Sequence, residues 1–125
     1  MDITVQTVSG VTVVEVNGDL DSRSARLAQE RIAAAVLESA DLVLDLSGVG
    51  YMSSAGLRMM LLVYRQAQCT GARVAVVGLN DELRMIMRAT GFLDFFTVTD
   101  SVRSGIRLLG DADRDADRDA DRVAS

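Results

Sequence analysis

The sequence predicts an α/β fold (α+β by another convention), with four helices packed on a mixed sheet of four to five strands. Three observations predict it. Two β-branched runs near the N-terminus are separated only by Ser9 and Gly10, which marks an antiparallel hairpin. After them, short apolar runs alternate with amphipathic stretches, the order that produces parallel crossovers. Glycine, serine and asparagine punctuate nearly every transition between the two.

The hairpin strands are Ile3–Val8 and Val11–Val16. Asp21 or Ser22 then caps a helix over 21–38 that places Ala25, Ala28, Ile32, Ala35 and Val36 on one face. Leu42–Leu46 is a short buried strand, and Ser47, Gly48, Val49 and Gly50 break the pattern before a second helix opens at Ser53 or Ser54. In that helix Leu57, Met60, Leu61, Tyr64 and Ala67 share a face, while Met59, Leu62 and Val63 lie on its other sides. Those extra apolar residues suit either a docking face or burial under a neighbouring element. A strand over Arg73–Gly78, a helix over Asp81–Thr90 ended by Gly91, an edge strand over Phe95–Val98 and a helix over Ser101–Leu109 complete the domain. Residues 1–110 form that domain, and 111–125, three copies of Asp-Ala-Asp-Arg followed by Val-Ala-Ser, form an acidic tail expected to be disordered.

Composition narrows the chemistry. The 125 residues carry a net charge of −5, which disfavours nucleic acid and anionic membranes as partners and favours a protein. All basic residues are Arg, so lysine-dependent phosphate loops, Schiff bases and receiver domains are excluded. Histidine is absent, which removes Ser-His-Asp and Cys-His catalysis and makes a zinc site implausible. No enzymatic activity is expected. The single cysteine, Cys69, falls within an apolar helical pattern and is expected to be a buried structural thiol in a reducing compartment. The longest apolar run, Met59–Tyr64, is too short to span a bilayer and no signal sequence precedes the fold, so a cytoplasmic location is expected.

The informative segment is the strand, loop and helix from Leu44 to Leu62, which delivers the pair Ser53-Ser54 to a helix N-terminus. A serine there lies among unpaired backbone N–H groups at the positive end of the helix dipole, where a phosphate is tolerated without refolding. The bland alternative is a serine that simply caps the helix. Gly56 permits close backbone approach, and Asp21, before the first helix, either borders the same site or caps that helix.

Met52-Ser53-Ser54-Ala55-Gly56-Leu57 resembles the Asp-Ser-Ser/Thr-Gly-Leu element of the anti-sigma factor antagonist family, or STAS domains. Gly18-Asp19-Leu20-Asp21 resembles that family's Gly-Glu-Leu-Asp element, and Thr90-Gly91-Phe92 its late Ser/Thr-Gly-Leu turn. The likeness runs from Ile3 to Leu109, with Ser53 in place of the usual Asp and Ala55 in place of the second hydroxyl residue. It implies phosphorylation of Ser54 and a partner surface around Asp21, Met52, Ser53, Ser54, Gly56, Leu57 and Met59. It further implies an anti-sigma factor with serine kinase activity as partner, a metal-dependent serine phosphatase that resets the switch, and no cofactor on this chain. A monomer is favoured, with a dimer left open.

Rival motifs fail on specific residues. Gly48-Val-Gly50-Tyr-Met-Ser53 imitates a dinucleotide fingerprint but has Ser at its third glycine and no acidic strand end about twenty residues on. Met52-Ser53-Ser54-Ala55-Gly56 lacks the first glycine of an esterase elbow. The remaining alternative is a STAS-type scaffold, or a subunit of a lipid or anion transport complex, without phosphate control.

Overall fold

Ser9 and Gly10 both adopt positive φ, 52° and 80°, the pattern of a two-residue hairpin turn whose twist matches that of the strands it joins. They connect β1 (Asp2–Val8) to antiparallel β2 (Val11–Asn17) in a computed structural model that describes residues 1–38 and 41–109. The chain continues through α1 (Ser22–Glu38), β3 (Asp41–Gly48), α2 (Ser54–Thr70), β4 (Arg73–Val77), α3 (Asp81–Ala89) and β5 (Thr97–Thr99). A last helix, α4, covers residues 102–109. The tail over 111–125 lies outside the described residues.

The five strands lie in the order β1-β2-β3-β4-β5, and every pair after the first is parallel. One row of the register crosses the whole sheet, from Val5 through Val14, Leu44 and Val76 to Val98. Each crossover steps one strand in the same direction, so right-handed connections place α1, α2 and α3 on one face. The main core sits there, with Val14, Leu44 and Val76 packed against Ala28 and Ile32 of α1, Met60 and Val63 of α2, and Leu83 and Met87 of α3. The opposite face carries Val11, Val13, Val43, Ala75 and Val77, covered by Val102, Ile106 and Leu109 of α4. Cover on both faces explains why β2, β3 and β4 are buried at most positions in succession instead of alternating.

The structure corrects three expectations. The fifth strand begins at Thr97, not Phe95, because Phe92–Phe95 forms a 3-10 turn that stacks Phe95 on Tyr64 of α2 at 5.0 Å between ring centroids. Cys69 is exposed, since the buried stripe of α2 runs through Gly56, Met59, Met60, Val63 and Ala67 and leaves position 69 on the outer side. That stripe is also rotated from the expected face: Met59 and Val63 are core residues, while Leu57, Leu61 and Tyr64 are only half-buried. Among the described residues, no helix is long and apolar enough to cross a membrane.

Candidate functional site

Parallel strands deliver their loops to one edge of the sheet, and a crevice at that carboxyl edge is where α/β sheets usually place binding sites. Here the loops after β2, β3 and β4 are tied together by hydrogen bonds. The Gly18 N–H donates to the Gly48 carbonyl at 3.0 Å, the Leu20 N–H to the Tyr51 carbonyl at 2.9 Å, and the Ser53 N–H to the Leu20 carbonyl at 2.8 Å. Asn80, which also caps α3 through its side chain, donates from Nδ2 to the Gly50 carbonyl at 3.3 Å. Leu20 and Met52, paired across an isolated parallel bridge, are buried beneath these loops and anchor them to the core.

The two serines at the start of α2 have different tasks. Ser53 is the N-cap, extended at φ −78° and ψ 177°, half-buried, with its Oγ accepting from the Gly56 N–H at 3.4 Å. Ser54 is the first residue of the helix, and its side chain is exposed. Its hydroxyl makes no hydrogen bond to a described residue. One serine is thus engaged in holding the helix, and its neighbour is presented to solvent. The first-turn N–H groups and the helix dipole favour negative charge at this position.

Gly56 is buried because a side chain there has no room: a Cβ would lie 2.4 Å from Met52 Cγ and 3.1 Å from both Cβ and the carbonyl oxygen of Leu20. The missing side chain lets α2 settle directly on the tied loops. Asp21 performs the corresponding duty for α1. Its Oδ1 accepts from the N–H groups of Arg23 and Ser24 at 3.0 and 2.9 Å, and the Ser24 Oγ accepts from the Asp21 N–H at 2.9 Å, a reciprocal cap. Hydrogen bonds from Ser24, backbone then side chain, hold the Asp21 carboxyl below its usual pKa.

Between α1 and α2 runs a groove of about 400 Å³ lined by Ser22, Ala25, Arg26, Gln29, Ser54, Ala55, Arg58 and Met59. Ser54 and two arginines are thus among the residues of one groove. Of the anticipated partner residues, Asp21 and Ser54 are exposed and Ser53 and Leu57 half-buried. Met52, Gly56 and Met59 lie beneath the surface, with Met52 at 4% and Met59 at 1% exposure, so the anticipated outward apolar face does not include Met59. Its volume is taken up by the core packed between α2 and the sheet. Sequence reasoning passed over Arg26, Arg58 and the half-exposed Tyr51. The spacing of Arg58, four residues after Ser54, was the available signal, since such pairs are neighbours on a helix surface.

Comparison with known proteins agrees with this architecture. Residues 2–105 match the STAS domain family. BtrV of Bordetella bronchiseptica, which bears the name of an anti-sigma factor antagonist, is 31% identical over 102 residues, covering 81% of this chain and 88% of that protein. The crystal structure of an anti-sigma factor antagonist from Mycobacterium paratuberculosis superimposes with a TM-score of 0.78 at 26% identity, covering 86% of this chain and 92% of that one. The Bacillus cell fate determinant SpoIIAA, solved in its phosphorylated form, shares the fold with a TM-score of 0.68 at 14% identity, covering 86% of this chain and 99% of that one. With its strand order, its tied loops and its serine pair at the start of α2, the chain belongs to the STAS domain family, among relatives named anti-sigma factor antagonists.

Proposed function

We propose that this chain is an anti-sigma factor antagonist that works as a phosphorylation switch in the cytoplasm, without catalysis of its own. Unmodified, it binds an anti-sigma factor that carries serine kinase activity, and a sigma factor is released. Phosphorylation of Ser54 by that kinase ends the binding, and a metal-dependent serine phosphatase restores it. Nucleotide and magnesium belong to the kinase, and this chain needs no cofactor.

The observation that carries this reading is the division of labour at the start of α2, where Ser53 caps the helix and Ser54 stands exposed beside it. A kinase needs a hydroxyl it can reach, and Ser54 is reachable without unfolding. The added group brings about −1.5 to −2 charge and three acceptor oxygens. Because the helix start accommodates an anion, the change is felt at the partner's surface, not in the fold. A repulsion or desolvation cost of ~3 kcal/mol weakens an interface more than a hundredfold. The exposed Tyr51 and Leu62 and the half-buried Leu57, close to Ser54 in sequence, offer apolar contacts to a partner docking at this helix start.

Partner capture tests the sign. With candidate anti-sigma factor kinases of the same genome as prey, Ser54→Ala retains binding and Ser54→Asp loses it. Equal capture by both variants contradicts the switch and favours the scaffold reading, which the substitution of Ser53 for the family's Asp makes the relevant rival.

A further inference from the structure

In a chain of net charge −5, the layer formed by α1 and α2 is basic. Their sequences hold Arg23, Arg26, Arg31, Arg58 and Arg65 against Glu30 and Glu38. Two of those arginines, Arg26 on α1 and Arg58 on α2, line the groove that also contains Ser54. Among the described residues the ion pairs join Arg73 to Asp41 and Arg84 to Asp100, so neither groove arginine is neutralised by a carboxylate. Gln29 and Ser22 add uncharged donors to the same walls.

Resting on the reading of Ser54 as the modified residue, we propose that Arg26 and Arg58 form an in-cis receptor that draws the phosphoryl group of Ser54 into the groove between α1 and α2. Arg58 lies one helical turn beyond Ser54, so the two Cβ atoms are about 5–6 Å apart, well within reach of a guanidinium. Arg26 approaches from the opposite wall. Guanidinium forks match phosphate oxygens two at a time, which gives the pair a preference for a dianion over a single carboxylate. The groove is large enough to seat the group together with both side chains. Filling it removes three features from the docking surface at once: the free serine, the open groove and two positive charges. The switch then acts by withdrawal of surface as well as by repulsion.

The test installs phosphoserine at position 54 during translation, so that no kinase is required, and follows its second ionisation by 31P NMR as a function of pH. Free phosphoserine ionises near pH 6. Arginines that bind the dianion lower that value, and the helix N-terminus lowers it too, so the informative quantity is the difference between variants. Arg26→Gln/Arg58→Gln is expected to raise the second pKa by about half a unit or more relative to the parent, because each guanidinium favours the doubly charged form. Arg103→Gln/Arg107→Gln, altered on α4 across the sheet, leaves it unchanged. All four positions are exposed, and amide N–H chemical shifts recorded on the same samples verify that the variants are folded. Equal pKa values in the parent and the groove variant, or an equal rise in the α4 variant, overturn the receptor. Failure of every kinase to modify Ser54 would instead strike at the functional reading and leave this measurement intact.

Discussion

The Ser53 N–H donates to the Leu20 carbonyl at 2.8 Å, and that one bond ties the cap of α2 to the loop that leads into α1. Both helices that frame the groove therefore start from a single rigid platform. Leu20 is wholly buried, so the platform cannot shift without disturbing the core.

Gly56 is where the platform is most crowded. Gly56→Ala removes a helix-weakening residue, which by itself favours the variant by about 1 kcal/mol. The new methyl, however, collides with Met52 and with the backbone of Leu20, and overpacking of that kind costs about 1–3 kcal/mol. The two terms leave a net loss of about 0–2 kcal/mol, seen as a lower urea midpoint with an unchanged m-value. A variant more stable than the parent by the full helix-propensity gain would show that α2 can lift off the loops freely.

Met59 and Leu62 separate core from surface on the same helix. Met59→Ala removes a side chain that is almost wholly buried and lowers stability by about 2–5 kcal/mol. Leu62→Ala, at a position 37% exposed, changes stability by no more than about 0.5 kcal/mol and acts on partner binding instead. Reversal of the two effects in paired unfolding and capture measurements would place the wrong face of α2 inside.

The Asp21 carboxyl gives the fold an acid-side sensitivity. The Ser24 hydrogen bonds hold its folded-state pKa below the ordinary aspartate value, so it contributes stability at pH values above that ordinary value and loses the contribution as pH falls through the lowered one. Asp21→Asn keeps an oxygen that caps α1 but cannot titrate. The parent's advantage over this variant, measured by denaturant midpoints, is expected to be constant from pH 7 to about 5 and to shrink below pH 4. An advantage that grows with acidification would contradict the sign.

Cys69 is exposed, so a thiol reagent titrates one equivalent in the native protein without denaturant. Labelling that required unfolding would return the thiol to the core.

The hairpin was legible in the sequence because Ser9-Gly10 between β-branched runs allows few other conformations. The cap at Ser53 and the exposed Ser54 were legible to within one residue, since a break at Ser47–Gly50 leaves little choice about where α2 begins. The buried face of α2 was not, because a helix apolar almost all round carries no periodicity strong enough to choose between Met59 and Leu61. Cys69 was misplaced for the same reason. The start of β5 shifted by two residues because Phe95 is drawn to Tyr64, a contact thirty-one positions away that local pattern does not encode. Arg26 went unseen on similar grounds, since it comes to line the same groove as Ser54 only through the packing of α1 on α2.

The most direct measurement is a phosphosite map: incubate the protein with ATP and each candidate anti-sigma factor kinase of its genome, then locate the added phosphate by tandem mass spectrometry. An exposed Ser54 beside an engaged Ser53 predicts stoichiometric modification at Ser54 and none at Ser53. Phosphate on Ser53 or elsewhere, or a protein left unmodified by every such kinase, would contradict the switch.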